Sequence, residues 1–258
     1  MWFKIKSYLT FLLKSTNQHG VHSPFVYNLV TKCFYNKTNP TKKEAFLKIK
    51  KRIAKNSKII EVTDFGKGSK IFKTNRRKVA DIAKIAGISD KRAYLLIRIC
   101  SYFKFDSLLE IGTSVGLGAA ALSIGNPMAK ISTLEGCKNT SEIANELFTE
   151  FNLLNIEQYV GNFNETLPSA LKNNAFDFVY FDGNHQKEAT LLYFNNCLAT
   201  VHNNTVFIFD DINWSVEMQL AWEEIKKHPK VSVSIDTYFW GIVFFRKEQK
   251  KEHFTIRI

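Results

Sequence analysis

The sequence is poor in cysteine and has no long apolar run, and each shortage excludes a class of protein. The four cysteines lie far apart without a Cys-x-x-Cys pair, which excludes a zinc ribbon or a thioredoxin-like motif and favours reduced thiols in the cytoplasm. No apolar run reaches about 18 residues, so no transmembrane helix is expected. Hydrophobic residues make up 45% and charged residues 23% of the 258, which excludes a disordered or collagen-like chain.

Acidic residues are scarce in the first part of the chain. Residues 1–105 carry 24 Lys and Arg against 5 Asp and Glu, a balance of +19, whereas residues 106–258 carry 12 against 19, a balance of −7. We therefore predict two parts with different roles, a basic and mainly helical N-terminal region over 1–105 and a second domain over 106–258. Nucleic acid, an anionic membrane, an acidic substrate and plain solvent are all compatible with the basic part.

The first fourteen residues are apolar with interspersed lysines. Lys4 and Lys6 interrupt the run, which argues against a secretory signal. Helical spacing places four apolar residues on one face: Trp2, Ile5, Leu9 and Leu12. An interfacial membrane helix fits this pattern, but a helix packed on its own protein or on a partner subunit is favoured.

Further helices are expected before residue 105. Ser23 followed by Pro24 predicts a capped helix that runs to about Tyr35. A strongly basic helix is expected over residues 41–55, and one long helical stretch over 77–103.

From residue 106 onwards, predicted strands and helices alternate. The strands are expected at 107–112, 130–135, 156–161, 176–182 and 205–211, with helices near 116–124, 140–152, 164–171, 187–198 and 214–227. Such alternation predicts a parallel, doubly wound α/β sheet. Residues 231–247 differ, because two β-rich runs follow each other without a helix. They predict an antiparallel hairpin that ends the sheet, which makes seven strands in all.

Two glycine loops compete as the ligand-binding loop. One is Asp64–Gly68, and the other runs from Glu110 to Gly118. A nucleotide-binding α/β unit places an acid about 20 residues after its glycine loop, at the end of the second strand, where it binds ribose hydroxyls. Glu135 meets this requirement for the second loop, whereas the first loop has no such partner. We therefore expect Asp64–Gly68 to pack against the Rossmann-like domain, and we favour a structural turn over a direct substrate role.

The second loop has the sequence EIGTSVGLG. This loop and the hairpin that ends the predicted sheet are similar to features of a known family. Residues 108–246 resemble the class I S-adenosylmethionine-dependent methyltransferases, and the loop resembles the first motif of the catechol-type O-methyltransferases. It departs from the G-x-G-x-x-G of dehydrogenases. The resemblance implies a Rossmann-like seven-stranded methyltransferase sheet, S-adenosyl-L-methionine as the cofactor, and O-methylation of a small-molecule acceptor.

The resemblance also implies a set of cofactor-binding residues. The loop would hold the methionine part, Glu135 the ribose hydroxyls, Asn162 the adenine amino group, and Phe163 the purine face. The full set is Glu110, Gly112, Thr113, Ser114, Gly116, Glu135, Gly136, Asn162, Phe163 and Asp182.

Catalytic and metal-binding residues are implied at the ends of the fourth and fifth parallel strands. His185 stands where the catechol-type enzymes have a catalytic Lys, and it is suited to act as a base near neutral pH, beside Asp182. Three carboxylates, those of Asp182, Asp210 and Asp211, form a hard oxygen set suited to Mg²⁺. Asp211 replaces the family's Asn, so metal binding and metal-free catalysis both stay open.

Two other functions remain open beside the small-molecule enzyme. The basic N-terminal region, with Lys42–Lys58 and Lys67–Lys78, suits an RNA- or ribosome-directed methyltransferase. A catalytically inactive binding protein with this fold is the other alternative, which the intact motif residues disfavour. A peripheral membrane contact through residues 1–14 and association into a homodimer also stay open. We favour residues 1–105 as a cap over the substrate side.

Overall fold

A computed structural model describes residues 2–63, 65, 74–172 and 174–258. The chain divides into two compact units. The terminal unit comprises residues 1–35 and 174–258, and the central unit comprises residues 36–173. The predicted boundary at residue 105 lies inside the central unit, so the assignment of residues 1–105 as a separate cap stays a prediction.

The elements follow the expected alternation from residue 106 onwards. In chain order, the α-helices of the described residues are α1 (Trp2–Lys14), α2 (Pro24–Leu29), α3 (Pro40–Ala54), α4 (Val79–Ile85), α5 (Asp90–Phe103), α6 (Leu117–Gly125), α7 (Lys138–Glu150), α8 (Phe163–Leu171), α9 (Lys187–Cys197) and α10 (Val216–Lys227). The strands are β1 (Ile59–Glu61), β2 (Arg76–Lys78), β3 (Ser107–Ile111), β4 (Lys130–Glu135), β5 (Ile156–Val160), β6 (Phe178–Phe181), β7 (Val206–Phe209), β8 (Val233–Asp236), β9 (Gly241–Phe244) and β10 (Glu252–Thr255).

Three parallel strands, β3, β4 and β5, pair with one another in the central unit. Strand β4 pairs with β3 on one side and with β5 on the other, both in parallel. Strand β3 is apolar and almost wholly buried, as is usual for a parallel strand covered on both faces. The register sets Ile111 of β3 opposite Leu134 of β4, so the two strands end level with each other.

The predicted helix over residues 77–103 is wrong. Strand β2 occupies its start and pairs antiparallel with β1, and two separate helices, α4 and α5, follow. The chain breaks between them at Gly87, and Ser89 then starts α5 by accepting a hydrogen bond from the backbone N–H of Arg92. Apolar residues at helical spacing on both sides of the break made the two helices look like one.

The sheet of the terminal unit has the order β10–β8–β9–β7–β6. Strands β6 and β7 are parallel, whereas β9 runs antiparallel to both β7 and β8. The predicted hairpin is thus confirmed. Strand β10, which pairs in parallel with β8, is one strand more than the seven expected. Its polar sequence, EHFT, lacks the apolar alternation that would have indicated a strand.

The N-terminal helix packs on the terminal unit through a face other than the one predicted. Ser7 and Phe11 are its buried residues, and the Phe11 ring lies 5.5 Å from that of Tyr238. The predicted inward residues Trp2 and Leu9 are exposed instead. Within the described residues, no helix is long and apolar enough to cross a membrane.

Candidate functional site

The glycine loop between β3 and α6 depends on left-handed backbone at three positions. Gly112, Ser114 and Gly116 have φ values of 110°, 49° and 87°. Glycine adopts such angles without cost, whereas serine does so rarely. Ser114 thus holds a left-handed backbone conformation that serine rarely adopts, between two glycines that adopt it readily.

Hydrogen bonds fix this loop to the end of β4. The backbone N–H groups of Gly112 and Thr113 both donate to the carbonyl oxygen of Leu134, at 3.0 Å each. Gly116 faces α7, and a Cβ added there would lie 2.8 Å from the Phe148 ring. Helix packing, together with its positive φ, therefore requires glycine at position 116.

Glu135, the acid at the end of β4, joins the loop to the start of α7. Its two carboxylate oxygens accept hydrogen bonds from the backbone N–H groups of Ser114, at 2.8 Å, and Cys137, at 2.9 Å. A carboxylate has about four lone-pair positions, so one side chain of this kind serves several donors at once.

Glu110 lies at the base of the loop and is fully buried. Burial raises the pKa of its carboxyl to about 8, a hydrogen bond from Thr133 opposes this rise, and the nearby charge of Glu135 adds to it. The Thr133 hydroxyl donates to Oε2 of Glu110 at 2.5 Å and lies 2.5 Å from the hydroxyl of Thr113. Oε1 of Glu110 is buried without a hydrogen-bond partner, an atom that a ligand donor or a water would satisfy.

Phe65, in the segment expected to pack against the Rossmann-like domain, contacts Gly136. Its ring lies against Gly136, where an added Cβ would be 2.7 Å from ring atom Cδ2, and the side chain is 55% exposed. The rest of the Asp64–Gly68 turn lies outside the described residues. The sequence signal for this contact partner was Gly136 itself, since a glycine directly after the strand-end acid leaves room for another side chain.

Asn162 and Phe163 follow β5 at the start of α8. Asn162 caps this helix, since its side-chain oxygen accepts a hydrogen bond from the backbone N–H of Asn164 at 2.9 Å. Asn162 is exposed and Phe163 is partly buried. The structure thus gives Asn162 a capping role, and its contact with adenine stays a prediction.

The remaining predicted site residues lie in the terminal unit. Phe181 of β6 pairs with Phe209 of β7, so Asp182 and Asp210 follow two neighbouring parallel strands at the same level. Asp210 is buried, and Asp211 has a positive φ of 54°. His185 Nε2 lies 3.8 Å from Oδ1 of Asp182, which is beyond hydrogen-bond distance.

The predicted metal site gains no support from side-chain placement. Among the residues that the structure describes, no group of three or more His, Cys, Asp and Glu side chains is placed to hold a metal ion. The proposed set of Asp182, Asp210 and Asp211 therefore stays a prediction.

Comparison with known proteins identifies the class. Residues 109–212, which carry the glycine loop and its strand-end acids, match the family model described as a methyltransferase domain. No curated protein sequence matches the chain closely enough to count as a relative.

Solved structures share the fold at low sequence identity. The SAH-bound methyltransferase of Podospora anserina is 15% identical with a TM-score of 0.60, and the match covers 88% of this chain and 97% of that one. An O-methyltransferase of Bacillus cereus in complex with SAH is 20% identical with a TM-score of 0.56, covering 80% and 91%. The O-methyltransferase TomG of Streptomyces achromogenes, in complex with SAM, is 19% identical with a TM-score of 0.55, covering 62% and 82%.

These matches define the class of protein. The resemblance to class I methyltransferases and the Rossmann-like methyltransferase fold are both confirmed.

The buried Glu110 predicts a pH dependence of stability in the ligand-free protein. The pKa of the Glu110 carboxyl is about 8 in the native state and near 4.5 in the unfolded state. Between these two pH values, the carboxyl holds its proton in the native state but loses it on unfolding. Stability therefore falls as pH rises from about 4.5 to 8, by at most about 5 kcal/mol. We expect Glu110→Gln to remove this fall, as measured by urea unfolding at several pH values. The exposed Glu142→Gln is the control, and parallel profiles for Glu110→Gln and wild type would contradict the assignment.

Proposed function

We propose that the protein transfers a methyl group from S-adenosyl-L-methionine to an oxygen of a small-molecule acceptor. The observation that carries this proposal is the carboxylate of Glu135, which hydrogen bonds from Ser114 and Cys137 fix against the glycine loop at the end of β4. The methyltransferase domain match and the SAM- and SAH-bound O-methyltransferases of similar fold support it.

The residues of the central unit fit the proposed cofactor. Glu135 would accept hydrogen bonds from the two ribose hydroxyls, while Gly112 to Gly116 would face the methionine part. The partnerless Oε1 of Glu110 would receive a donor from the cofactor or from a bridging water. When bound, the cofactor supplies a methyl group already activated on a sulfonium, so the protein's main task is to position the acceptor in line with it.

Removing the Glu135 carboxylate is expected to weaken cofactor binding. Glu135→Ala should raise the Kd for S-adenosylmethionine about 10- to 150-fold, or roughly 1.5–3 kcal/mol, because hydrogen bonds to a charged group are lost. Isothermal calorimetry measures this. Glu142→Ala, an exposed change on α7, should leave the Kd unchanged. An unchanged Kd in a folded Glu135→Ala protein would sink the assignment.

Phe65 is proposed as the apolar wall beside the nucleoside part of the cofactor. The resemblance places residue 136 at the cofactor, and here the Phe65 ring fills the space that a side chain at 136 would take. The aromatic surface thus comes from a distant part of the chain. Neighbouring contacts hold this segment near α7: the backbone N–H of Thr63 donates to Cys137 Sγ at 3.3 Å, and Asn139 donates to the carbonyl of Glu61 at 2.7 Å.

A swap of side chains tests this role. Phe65→Ala should raise the Kd for S-adenosylmethionine about 2- to 12-fold, the range of an aromatic contact. Adding Gly136→Met to Phe65→Ala should recover part of the affinity, because the new side chain refills the same space. Ile59→Ala, at an exposed position of β1, is the control. If Phe65→Ala binds normally, or the swap recovers nothing, the ring does not contact the cofactor.

Proton removal from the acceptor hydroxyl is proposed for His185, with Asp182 beside it. Once a screen with labelled cofactor has found an acceptor, His185→Ala should lower kcat about 10²- to 10⁴-fold and change its pH profile. His202→Ala is the matched control, because His202 also pairs with an aspartate of the terminal unit, Asp177, at 3.0 Å. Equal turnover in the two variants would contradict the base role.

The same assay in chelator tests the metal. Loss of activity that Mg²⁺ restores would assign Asp182, Asp210 and Asp211 to a metal that lowers the hydroxyl pKa. Full activity in chelator would show that the reaction needs no metal, and His185 would then be the proposed base without one.

An RNA acceptor is less favoured, because the basic region is partly neutralised within the central unit. Lys50 pairs with Asp90 at 2.5 Å, and Arg52 with Glu150 at 2.8 Å. Lys58 pairs with Glu146 at 3.1 Å. Among the aromatic residues of this region, Phe46 is buried and not available to stack on a base, whereas Tyr35 and Phe65 are exposed.

A further inference from the structure

Helix α1 has an apolar face that points away from the protein. Trp2 is 85% and Leu13 is 88% exposed, and Ile5 and Leu9 are about half exposed. Leu9 follows Trp2 by seven positions and Leu13 follows Leu9 by four, so the exposed residues form one stripe along the helix. This stripe lies opposite Phe11, through which α1 packs on the terminal unit.

Such a row differs from the isolated apolar residues found on most surfaces. Met128 and Leu154 are equally exposed in the central unit, but they do not belong to a helical stripe. Contiguous exposed apolar surface usually marks an interaction site. A helix that is apolar on two opposite faces needs a second apolar environment beside its own protein.

Neighbouring residues widen the apolar surface on both sides of α1. On one side, the exposed Tyr8 ring contacts that of Tyr238 at 4.9 Å, and the exposed Phe239 follows. On the other side, Val216 and Leu220 of α10 are exposed and line a groove of about 450 Å³ along α1. The surface is therefore broader than a single helical stripe.

Helix α1 carries charge of one sign, and Lys6 flanks the exposed stripe, whereas Lys4 and Lys14 lie towards the packed side with Phe11 and Ser7. The sequence has no Asp or Glu before Glu44. Glu223 and Glu224 of the adjacent α10 pair with Lys226 and Lys187, and the same helix also carries Glu217. An anionic surface would complement Lys6.

We infer that the exposed face of α1 docks on an anionic lipid bilayer, with the helix lying in the plane of the interface. Trp2, Leu9 and Leu13 would enter the headgroup boundary, and Lys6 would meet acidic headgroups, as is typical of interfacial helices. A second copy of the chain fits less well, because a symmetric pair of these faces would bring lysines of the two copies together. This inference is independent of the proposed function.

Helix α1 also contacts a predicted site loop, on the side opposite the exposed stripe. Lys4 Nζ lies 3.2 Å from the centroid of the Trp214 ring, and the Ser7 hydroxyl donates to Asn213 at 2.9 Å. Both partners lie in the loop that follows Asp210 and Asp211. Helix α1 is thus joined directly to that loop.

Vesicle flotation of the full chain tests the inference. We expect binding to vesicles of phosphatidylcholine mixed with phosphatidylglycerol, weaker binding at high salt, and little binding to phosphatidylcholine alone. Leu9→Gln with Leu13→Gln should lower partitioning at least about tenfold, because two inserted side chains become polar. Lys6→Glu should lower it at least about fivefold.

Controls separate docking from misfolding. Met128→Gln with Leu154→Gln removes the same kind of exposed surface in the central unit and should leave binding unchanged. All variants should unfold at the wild-type temperature, since the changed side chains are exposed. Equal binding to neutral vesicles, or no vesicle binding, would overturn the inference. A dimer in sedimentation that Leu9→Gln with Leu13→Gln dissociates, without vesicle binding, would assign the face to a second copy.

Discussion

The carboxylate of Glu135 is the constraint on which the candidate cofactor site depends. It accepts hydrogen bonds from Ser114 and Cys137, so it joins the glycine loop to the beginning of α7. The loop needs such a restraint because Ser114 has a backbone conformation that favours glycine. One acid therefore has a structural role and a proposed binding role, which a carboxylate combines because it accepts several hydrogen bonds.

The interior beneath this loop is polar where an ordinary core would be apolar. Glu110, Thr133 and Thr113 form a buried chain of hydrogen-bonding groups, and one oxygen of Glu110 has no partner. Burying such an atom costs free energy unless something donates to it. A site that is completed only by its ligand keeps this kind of unsatisfied group, so the cost of Glu110 fits a binding role better than a purely structural one.

Much of this organisation could be predicted from the sequence, because it depends on local patterns. Apolar runs separated by helical segments fixed the strands from 107 to 211, and the absence of a helix within 231–247 indicated the antiparallel pair. The spacing from the glycine loop to Glu135 selected this loop over Asp64–Gly68. Local patterns failed at the single predicted helix over 77–103 and at β10, where the chain contains short polar elements whose strand character comes from pairing.

The sequence by itself determined the alternation of elements, the loop and the acids at the strand ends, since each of these follows from periodicity and residue type. Only the tertiary structure decided which side of α1 faces inward, because Trp2 and Phe11 are equally apolar and packing against Tyr238 selects Phe11. It also decided that Phe65 lies on Gly136, a contact between residues far apart in the chain. Contacts of this kind depend on how elements pack, and packing combines residues that no local pattern relates.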